Sequence, residues 1–145
     1  MIFTNSDGGA RGNPGPGAIG VVIRKNDVIL TKYAGMIGKF VTNNIAEYEG
    51  LIKALEIALN ITTNEITCVL DSELVVKQLL GEYSVKNERL KPLFLKVHKL
   101  IDKFEKVSFQ HARREDKYQQ IADEILNEEL EKHGYKKKYP GRKRL

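Results

Sequence analysis

An apolar run between two helical patterns is the feature that most limits how this chain can fold. Residues 65–70 read EITCVL, which is typical of a strand buried on both faces. Amphipathic spacing at residues 44–60 and again at residues 72–80 predicts a helix on each side of this strand. Because a strand that is entered and left through helices pairs in parallel by right-handed crossovers, the run predicts a parallel strand in a sheet with helices on its faces.

The rest of the chain supplies the other elements of an α/β fold. We predict strands at residues 1–6, 18–25 and 28–34, a helix at 88–104, a strand at 107–111 and a last helix ending near 131. Asp7-Gly8-Gly9 is interpreted as a turn that ends the first strand. The predicted architecture is a five-stranded mixed sheet, with three antiparallel strands plus two parallel ones and helices on both faces.

Length and composition exclude several classes of protein. A chain of 145 residues with 41% hydrophobic residues suits one globular domain. No apolar run approaches the ~20 residues of a membrane span, and the N-terminus lacks a signal-peptide pattern. The one cysteine, Cys68, cannot form an internal disulfide, which favours a reducing compartment. We therefore expect a cytoplasmic protein that does not associate with membranes.

The positive charge of the chain is confined to its C-terminal end. Seven Lys and Arg residues lie from Lys132 onwards, where there is no Asp or Glu, so the +5 of the whole chain leaves −2 for residues 1–131. We predict a basic, flexible C-terminal tail at residues 132–145. Such a segment is typical of an arm attracted to phosphates, and equally of a solubilising terminus. Charge alone leaves both interpretations open.

The glycine-rich run at residues 15–20 matches the pattern G-x-G-x-x-G, but its context argues against a nucleotide site. A dinucleotide fingerprint needs a strand before the glycines and a helix after them, whereas here a strand follows. A protein kinase is excluded as well, because the chain has no H-R-D or D-F-G motif.

Three acidic residues occupy positions, at strand ends or on the apolar side of a helix, where a charged side chain is unusual. Asp7 ends the first predicted strand, Asp71 ends the buried strand, and Glu47 lies in the first turn of the long helix on its apolar line. If these two strands are parallel neighbours, Asp7 and Asp71 project from the same edge of the sheet. Sites in open α/β sheets form at the carboxyl ends of strands, so this edge is the candidate functional site.

Each of these acids also has a structural explanation. Asp7 could form an Asx turn, Glu47 stands at capping-box spacing from Asn44, and Asp71 could cap the helix that begins at Ser72. Clustered together, the carboxylates would repel one another unless a cation neutralised them. Hard oxygen ligands select Mg²⁺ or Mn²⁺, and the histidines and cysteine show no zinc-binding spacing.

Four segments of the chain resemble the motifs of ribonuclease H type 1. They are DGGARGNPGPG at residues 7–17, TNNIAE at 42–47, LDSELV at 70–75 and GEYSVKN at 81–87. The resemblance covers residues 1–131 and implies a ribonuclease H-like catalytic domain. It also implies hydrolysis of the RNA strand of RNA–DNA hybrids with two Mg²⁺ or Mn²⁺ ions, leaving 3′-OH and 5′-phosphate ends.

The resemblance further implies which residues hold the metal ions. It assigns catalytic and metal-binding roles to Asp7, Glu47, Asp71 and Asp123, with Gly8 among the metal-binding residues. The loop before Ala122-Asp123 is about two residues longer than the family pattern, so Asp116 and Glu124 remain alternatives for the fourth acid. His111 is a candidate for the loop histidine that some members use, with a structural role at the strand end as the alternative.

The resemblance also assigns substrate contacts. They fall on Asn13, Thr42, Asn43, Asn44 and, against the DNA strand, Tyr83. The alternatives are turn formation or helix capping for the first four residues and a core position for Tyr83. Short amides are suited to the 2′-OH, which distinguishes RNA from DNA.

The chain departs from many family members in one respect, because it has no room for their basic insertion between the two middle helices. We hypothesise that the basic tail replaces this insertion in holding the hybrid. We expect a monomer with no obligate protein partner. Two rival functions stay open: a catalytically silent hybrid-binding module, and a related nuclease that acts on double-stranded RNA or branched DNA.

Overall fold

A computed structural model describes residues 1–136 of the chain. Within these residues the strands are β1 (Ile2–Ala10), β2 (Gly15–Lys25), β3 (Val28–Val41), β4 (Glu65–Leu70) and β5 (Lys106–His111), and the helices are α1 (Asn43–Leu59), α2 (Glu73–Leu79), α3 (Lys91–Ile101) and α4 (Lys117–Lys132). The predicted tail at 132–145 begins at the last residue of α4, and its residues 137–145 lie outside the described part of the chain.

The strands form one mixed sheet in the order β3-β2-β1-β4-β5. The hairpin strands β1, β2 and β3 pair antiparallel, whereas β4 pairs in parallel with both β1 and β5. This confirms the predicted mixed sheet. The parallel pairing of β1 with β4 ends at Ser6 opposite Leu70, so Asp7 and Asp71 are the next residues along two neighbouring strands.

Helices cover both faces of the sheet, as the sequence predicts. Val21 and Ile23 of β2 pack with Ala54 of α1, whereas Ala18 packs with Leu126 of α4. Because alternate residues of a strand point to opposite faces, α1 and α4 lie on opposite sides of the sheet. Most of the buried apolar side chains lie on the α1 side, where α2 and α3 also pack. Within the described residues, none of the helices combines the length and hydropathy needed to cross a membrane.

Strand β1 extends further than predicted. The turn assigned to Asp7-Gly8-Gly9 is wrong, because β1 runs through these residues to Ala10 and pairs with β2 from Asp7 opposite Gly20 to Ala10 opposite Gly17. The backbone pairing with β2 outweighs the local preference of these residues for a turn. Strand β3 likewise continues to Val41 rather than ending at residue 34, because β2 pairs with it along most of its length.

Helix α3 is shorter than the predicted span of 88–104. The side-chain Oδ1 of Asn87 accepts hydrogen bonds from the N–H groups of Arg89 and Leu90, which shapes a turn before the helix. Pro92 then stands in the first turn of α3, where a proline is tolerated because that N–H has no helical partner. Only residues 80–90 separate α2 from α3, in agreement with the expectation that the basic insertion is missing.

Candidate active site

The site is built around Gly8 of β1, where helix α1 lies directly against the strand. A Cβ atom at Gly8 would collide with the carbonyl of Ala46, so only glycine allows this approach. The N–H of Gly8 donates to Asp7 Oδ1 and to Glu47 Oε1, at 2.9 Å in each case. A strand carboxylate and a helix carboxylate are therefore held side by side by one backbone donor.

Glu47 is turned towards the sheet rather than towards its own helix end. Thr42 is the N-cap of α1, and its Oγ1 accepts from the N–H of Ile45 at 3.1 Å, so the capping-box interpretation of Asn44 and Glu47 is wrong. The Glu47 side chain is buried, and its Oε2 has no hydrogen-bond partner. A buried carboxylate oxygen without a partner is costly unless a ligand completes its contacts.

The other two carboxylates reach the site from β4 and α4. Asp71 directly follows β4, and the next residue, Ser72, caps α2 through its Oγ, so the capping interpretation of Asp71 is wrong. Asp123 lies on α4, next to Ala122, whose carbonyl packs where a Cβ of Gly20 would be. Because Gly20 pairs with Asp7, this close approach brings Asp123 to the same edge of the sheet.

All four acids line one open cavity of about 380 Å³. Asp7 and Glu47 form its buried side, whereas Asp71 and Asp123 are exposed. Gly8, Asn43 and Asn44 also line the cavity. The structure therefore brings together the five residues that the sequence analysis assigned to metal binding.

Negative charge in this cavity is unfavourable without a counter-ion. Burial raises the pKa of Asp7, and the neighbouring Glu47 and the charges of Asp123 and Asp71 raise it further. Burial also raises the pKa of Glu47, and the charges of Asp71 and Asp123 raise it further, although the hydrogen bond from the Gly8 N–H opposes the shift. Both shifts have the direction expected of clustered carboxylates that lack a cation.

The donor set fits a hard divalent cation. Within residues 1–136, no three Asp, Glu, His or Cys side chains already surround one point as a complete ligand set. Mg²⁺ does not require such a set, because this ion usually keeps several waters and binds through one or two protein carboxylates together with substrate phosphates. The unpartnered Glu47 Oε2 and the carboxylates of Asp7, Asp71 and Asp123 supply hard oxygen donors of the kind this ion prefers.

The alternatives for the fourth acid occupy other positions. Asp116 caps α4, since its Oδ1 accepts from the N–H groups of Tyr118 and Gln119 at 2.9 and 3.0 Å. Neither Asp116 nor Glu124 is among the residues that line the four-carboxylate cavity, whereas Asp123 is. The longer loop before α4 thus leaves Asp123 as the acid that faces the other three.

His111 stands at the side of the site. It ends β5, and its Nε2 lies 2.9 Å from the backbone oxygen of Asp71. A neighbouring cavity of about 420 Å³ is lined by His111, Arg113 and Arg114 together with Asp71 and Asp123. The two arginines were missed by the sequence analysis, because they lie in a loop where charge is the only signal.

Four of the five predicted substrate contacts gather in an adjoining groove. This cavity of about 380 Å³ is lined by Asn13, Thr42, Asn43 and Asn44, and also by Asn87 and Arg89. Asn13 Oδ1 accepts from the N–H of Asn43, and Asn43 Oδ1 accepts from the N–H of Ala10. Because a backbone N–H can only donate, these bonds fix each amide with its oxygen engaged and its NH₂ group left as a donor. Asn87 and Arg89 were not singled out from the sequence, although Asn87 ends one of the four motif segments.

Tyr83 lies apart from these three cavities. Its side chain is 49% exposed, so the core interpretation is wrong. The Lys77 ammonium lies 5.1 Å from the centre of its ring. Tyr83 therefore presents an aromatic surface to solvent on the α2 side of the molecule.

Comparison with known proteins agrees with this architecture. A family model described as reverse transcriptase-like matches residues 5–127. A curated ribonuclease HI from Halobacterium salinarum is 37% identical over 126 residues, which cover 86% of this chain and 62% of the relative. The chain belongs to the ribonuclease H type 1 family. The family that the sequence motifs implied is thereby confirmed.

Solved ribonuclease H structures superpose on nearly the whole chain. The Halobacterium salinarum RNase H1 has a TM-score of 0.84 at 35% identity and covers 90% of this chain and 98% of its own. LC11-RNase H1, solved in complex with an RNA/DNA hybrid, has a TM-score of 0.84 at 40% identity, with 92% and 99% covered.

Several relatives are longer than this chain. A bifunctional protein from Mycobacterium tuberculosis is 34% identical over 133 residues, which cover 90% of this chain but 35% of the relative. Its N-terminal RNase H domain has been solved and superposes with a TM-score of 0.85 at 32% identity, covering 92% of this chain and 95% of that domain. The chain thus corresponds to about a third of one curated relative and to 62% of the other.

Proposed function

We propose that this domain is an endonuclease that hydrolyses the RNA strand of RNA–DNA hybrids with two divalent ions, Mg²⁺ or Mn²⁺. It would leave 3′-OH and 5′-phosphate ends. The observation that carries the proposal is the single cavity lined by Asp7, Glu47, Asp71 and Asp123. The hybrid bound by LC11-RNase H1, at 40% identity, supports the choice of substrate.

The four carboxylates would hold the ions. Asp7 and Glu47 are oriented by the Gly8 N–H, and such outer contacts keep a ligand in position before the metal arrives. Asp71 and Asp123 are exposed, so their oxygens can adjust to an ion and to a bound phosphate. When bound, the ions supply activation of the attacking water and stabilisation of the leaving 3′ oxygen. His111, beside Asp71, is the group we propose for moving a proton or releasing the product.

The adjoining groove would bind the nucleic acid. The NH₂ groups of Asn13 and Asn43 are suited to a 2′-OH or a phosphate oxygen, and Asn44 and Thr42 line the same groove. Arg89 adds a cation there for the backbone phosphates. Exposed Tyr83 would contact the DNA strand.

The basic C-terminal segment, residues 132–145, would add electrostatic grip. Tyr135 packs against Leu126 and Leu130, and its carbonyl accepts from Arg11 Nε at 3.2 Å. Because Arg11 lines the four-carboxylate cavity, this bond holds Tyr135, at the start of the segment, near the site. Its cations would offset the −2 charge of residues 1–131 towards a polyanion.

We also infer that the chain acts as a monomer, because every group of the proposed site comes from one chain. We further propose a cytoplasmic location, because the buried Cys68 would remain a thiol in that reducing compartment.

The test compares cleavage of labelled RNA–DNA, RNA–RNA and DNA–DNA duplexes with Mg²⁺, with Mn²⁺ or with EDTA. We expect scission of the RNA strand of the hybrid alone, dependent on metal and lost in Asp71→Asn. Asp102→Asn, an exposed change at the end of α3, is the matched control and should cleave normally. Hybrid binding without cutting would indicate the silent module, and equal cutting of RNA–RNA would indicate the double-stranded RNA nuclease.

A further inference from the structure

A buried glutamine joins helix α4 to the central strand next to the site. Gln119 is 5% exposed, its Nε2 donates to the Ser6 carbonyl at 2.7 Å, and its Oε1 accepts from Asn5 Nδ2 at 3.2 Å. We infer that Gln119 is a positioning residue that sets the distance between Asp123 and Asp7. The inference rests on the proposed function of these carboxylates.

Both bonds of Gln119 are ones that its neighbours cannot easily replace. Asn5 is fully buried, and its Oδ1 accepts from Arg24 Nε at 3.0 Å. Because a guanidinium only donates, the Asn5 amide cannot flip, and its NH₂ group needs the Gln119 oxygen. The Ser6 carbonyl stands where the parallel pairing of β1 with β4 ends. Removing the Gln119 amide would thus leave buried polar groups without partners.

The hydrogen bonds of Gln119 lie close to Asp7 in β1 and to Asp123 in α4. Ser6 precedes Asp7 in β1, and Gln119 lies four residues before Asp123 in α4, which is about one helical turn on the same face. Another close contact between α4 and the sheet is the Ala122 carbonyl against Gly20. Gln119 and Gly20 together therefore fix where Asp123 stands relative to Asp7.

Helix α4 has other attachments that do not depend on Gln119. The Tyr118 hydroxyl donates to the Asp27 carbonyl at 3.2 Å. Leu126 and Leu130 pack into the sheet. Loss of the Gln119 bonds should therefore leave α4 folded but shift its position at the level of the carboxylates.

The test is Gln119→Met, which keeps the length of the side chain and removes both bonds. Gln78→Met is the matched control: Gln78 is 6% exposed, and its Oε1 accepts from the Tyr48 hydroxyl at 2.7 Å, in contact with α1 rather than α4. We expect both variants to melt at lower temperature. Only Gln119→Met should lower kcat by about 10- to 100-fold and raise the Mg²⁺ concentration for half-maximal rate by about tenfold, with KM for the hybrid within about twofold.

A second readout avoids catalysis. The rise in melting temperature on adding Mn²⁺ without substrate should need about tenfold more Mn²⁺ in Gln119→Met than in Gln78→Met. Equal Mn²⁺ midpoints and equal kcat in the two variants would overturn the inference and leave Gln119 as a stabilising residue. If Gln119→Met does not fold, Gln119→Asn, which keeps an amide but lacks its reach, gives the same comparison. Failure of the unmodified chain to cut any hybrid would refute the proposed function instead, and the Mn²⁺ midpoints would still decide the role of Gln119.

Discussion

Replacing Gly8 by alanine tests whether the approach of α1 to β1 builds the site. The new Cβ would overlap the Ala46 carbonyl and lie 2.6 Å from the backbone N of Glu47, whereas ordinary contacts begin at 3.4 Å. Helix α1 would have to move by about 1 Å, a misplacement that can cost about 100-fold in rate. Overpacking of this kind should also lower the free energy of unfolding by about 1–3 kcal/mol.

The control is the neighbouring glycine. A Cβ at Gly9 would meet Leu126 Cδ1 at 3.5 Å, which is an ordinary contact, and neither residue has a positive φ. We expect Gly8→Ala to lose about 100-fold in kcat for hybrid cleavage and Gly9→Ala to lose less than about threefold. Urea unfolding separates the stability loss from the catalytic one. Normal cleavage by Gly8→Ala, or equal losses of activity in both variants, would show that the close approach of α1 to β1 does not position the carboxylates.

Three further outcomes are expected. In EDTA, the protein should lose stability as pH rises from about 5 to about 8, because ionising Asp7 and Glu47, whose pKa values are raised in the folded state, costs free energy. Melting curves should show that Asp7→Asn flattens this pH dependence, and an unchanged slope would contradict the prediction. Deleting residues 137–145 should make the plot of log binding constant against log salt concentration less steep, by about 0.9 for each cation that contacts a phosphate, over about 50 to 200 mM salt. The kcat should stay nearly intact, and an unchanged slope would show that the tail does not bind phosphates. Asn13→Ala should raise KM for the hybrid more than it lowers kcat in steady-state assays, whereas a loss confined to kcat would argue against substrate contact.

The placement of Asp71 and Asp7 at one sheet edge could be predicted because it depends on topology alone. A buried run between two helices requires a parallel strand, and the residues that follow parallel neighbours share an edge. Glu47 could be predicted to face inward from its place on the apolar line of α1. These inferences need only the periods of helix and strand.

The continuation of β1 and the contacts of Gln119 could not be predicted in the same way. Asp7-Gly8-Gly9 has the composition of a turn, and only the pairing with β2 makes it a strand. Gln119 is one polar residue in a polar helix, and nothing in its spacing shows that it is buried against Ser6. Both features depend on contacts between distant parts of the chain, which local patterns do not encode.

We propose that the four carboxylates jointly hold divalent ions. Anomalous scattering from crystals of the protein soaked in Mn²⁺ would locate these ions. We predict manganese peaks within direct coordination distance of oxygens of Asp7, Glu47, Asp71 and Asp123, with the peaks weakened or lost in Asp7→Asn. Crystals without a peak in this cavity, or with an undiminished one in Asp7→Asn, would contradict the claim.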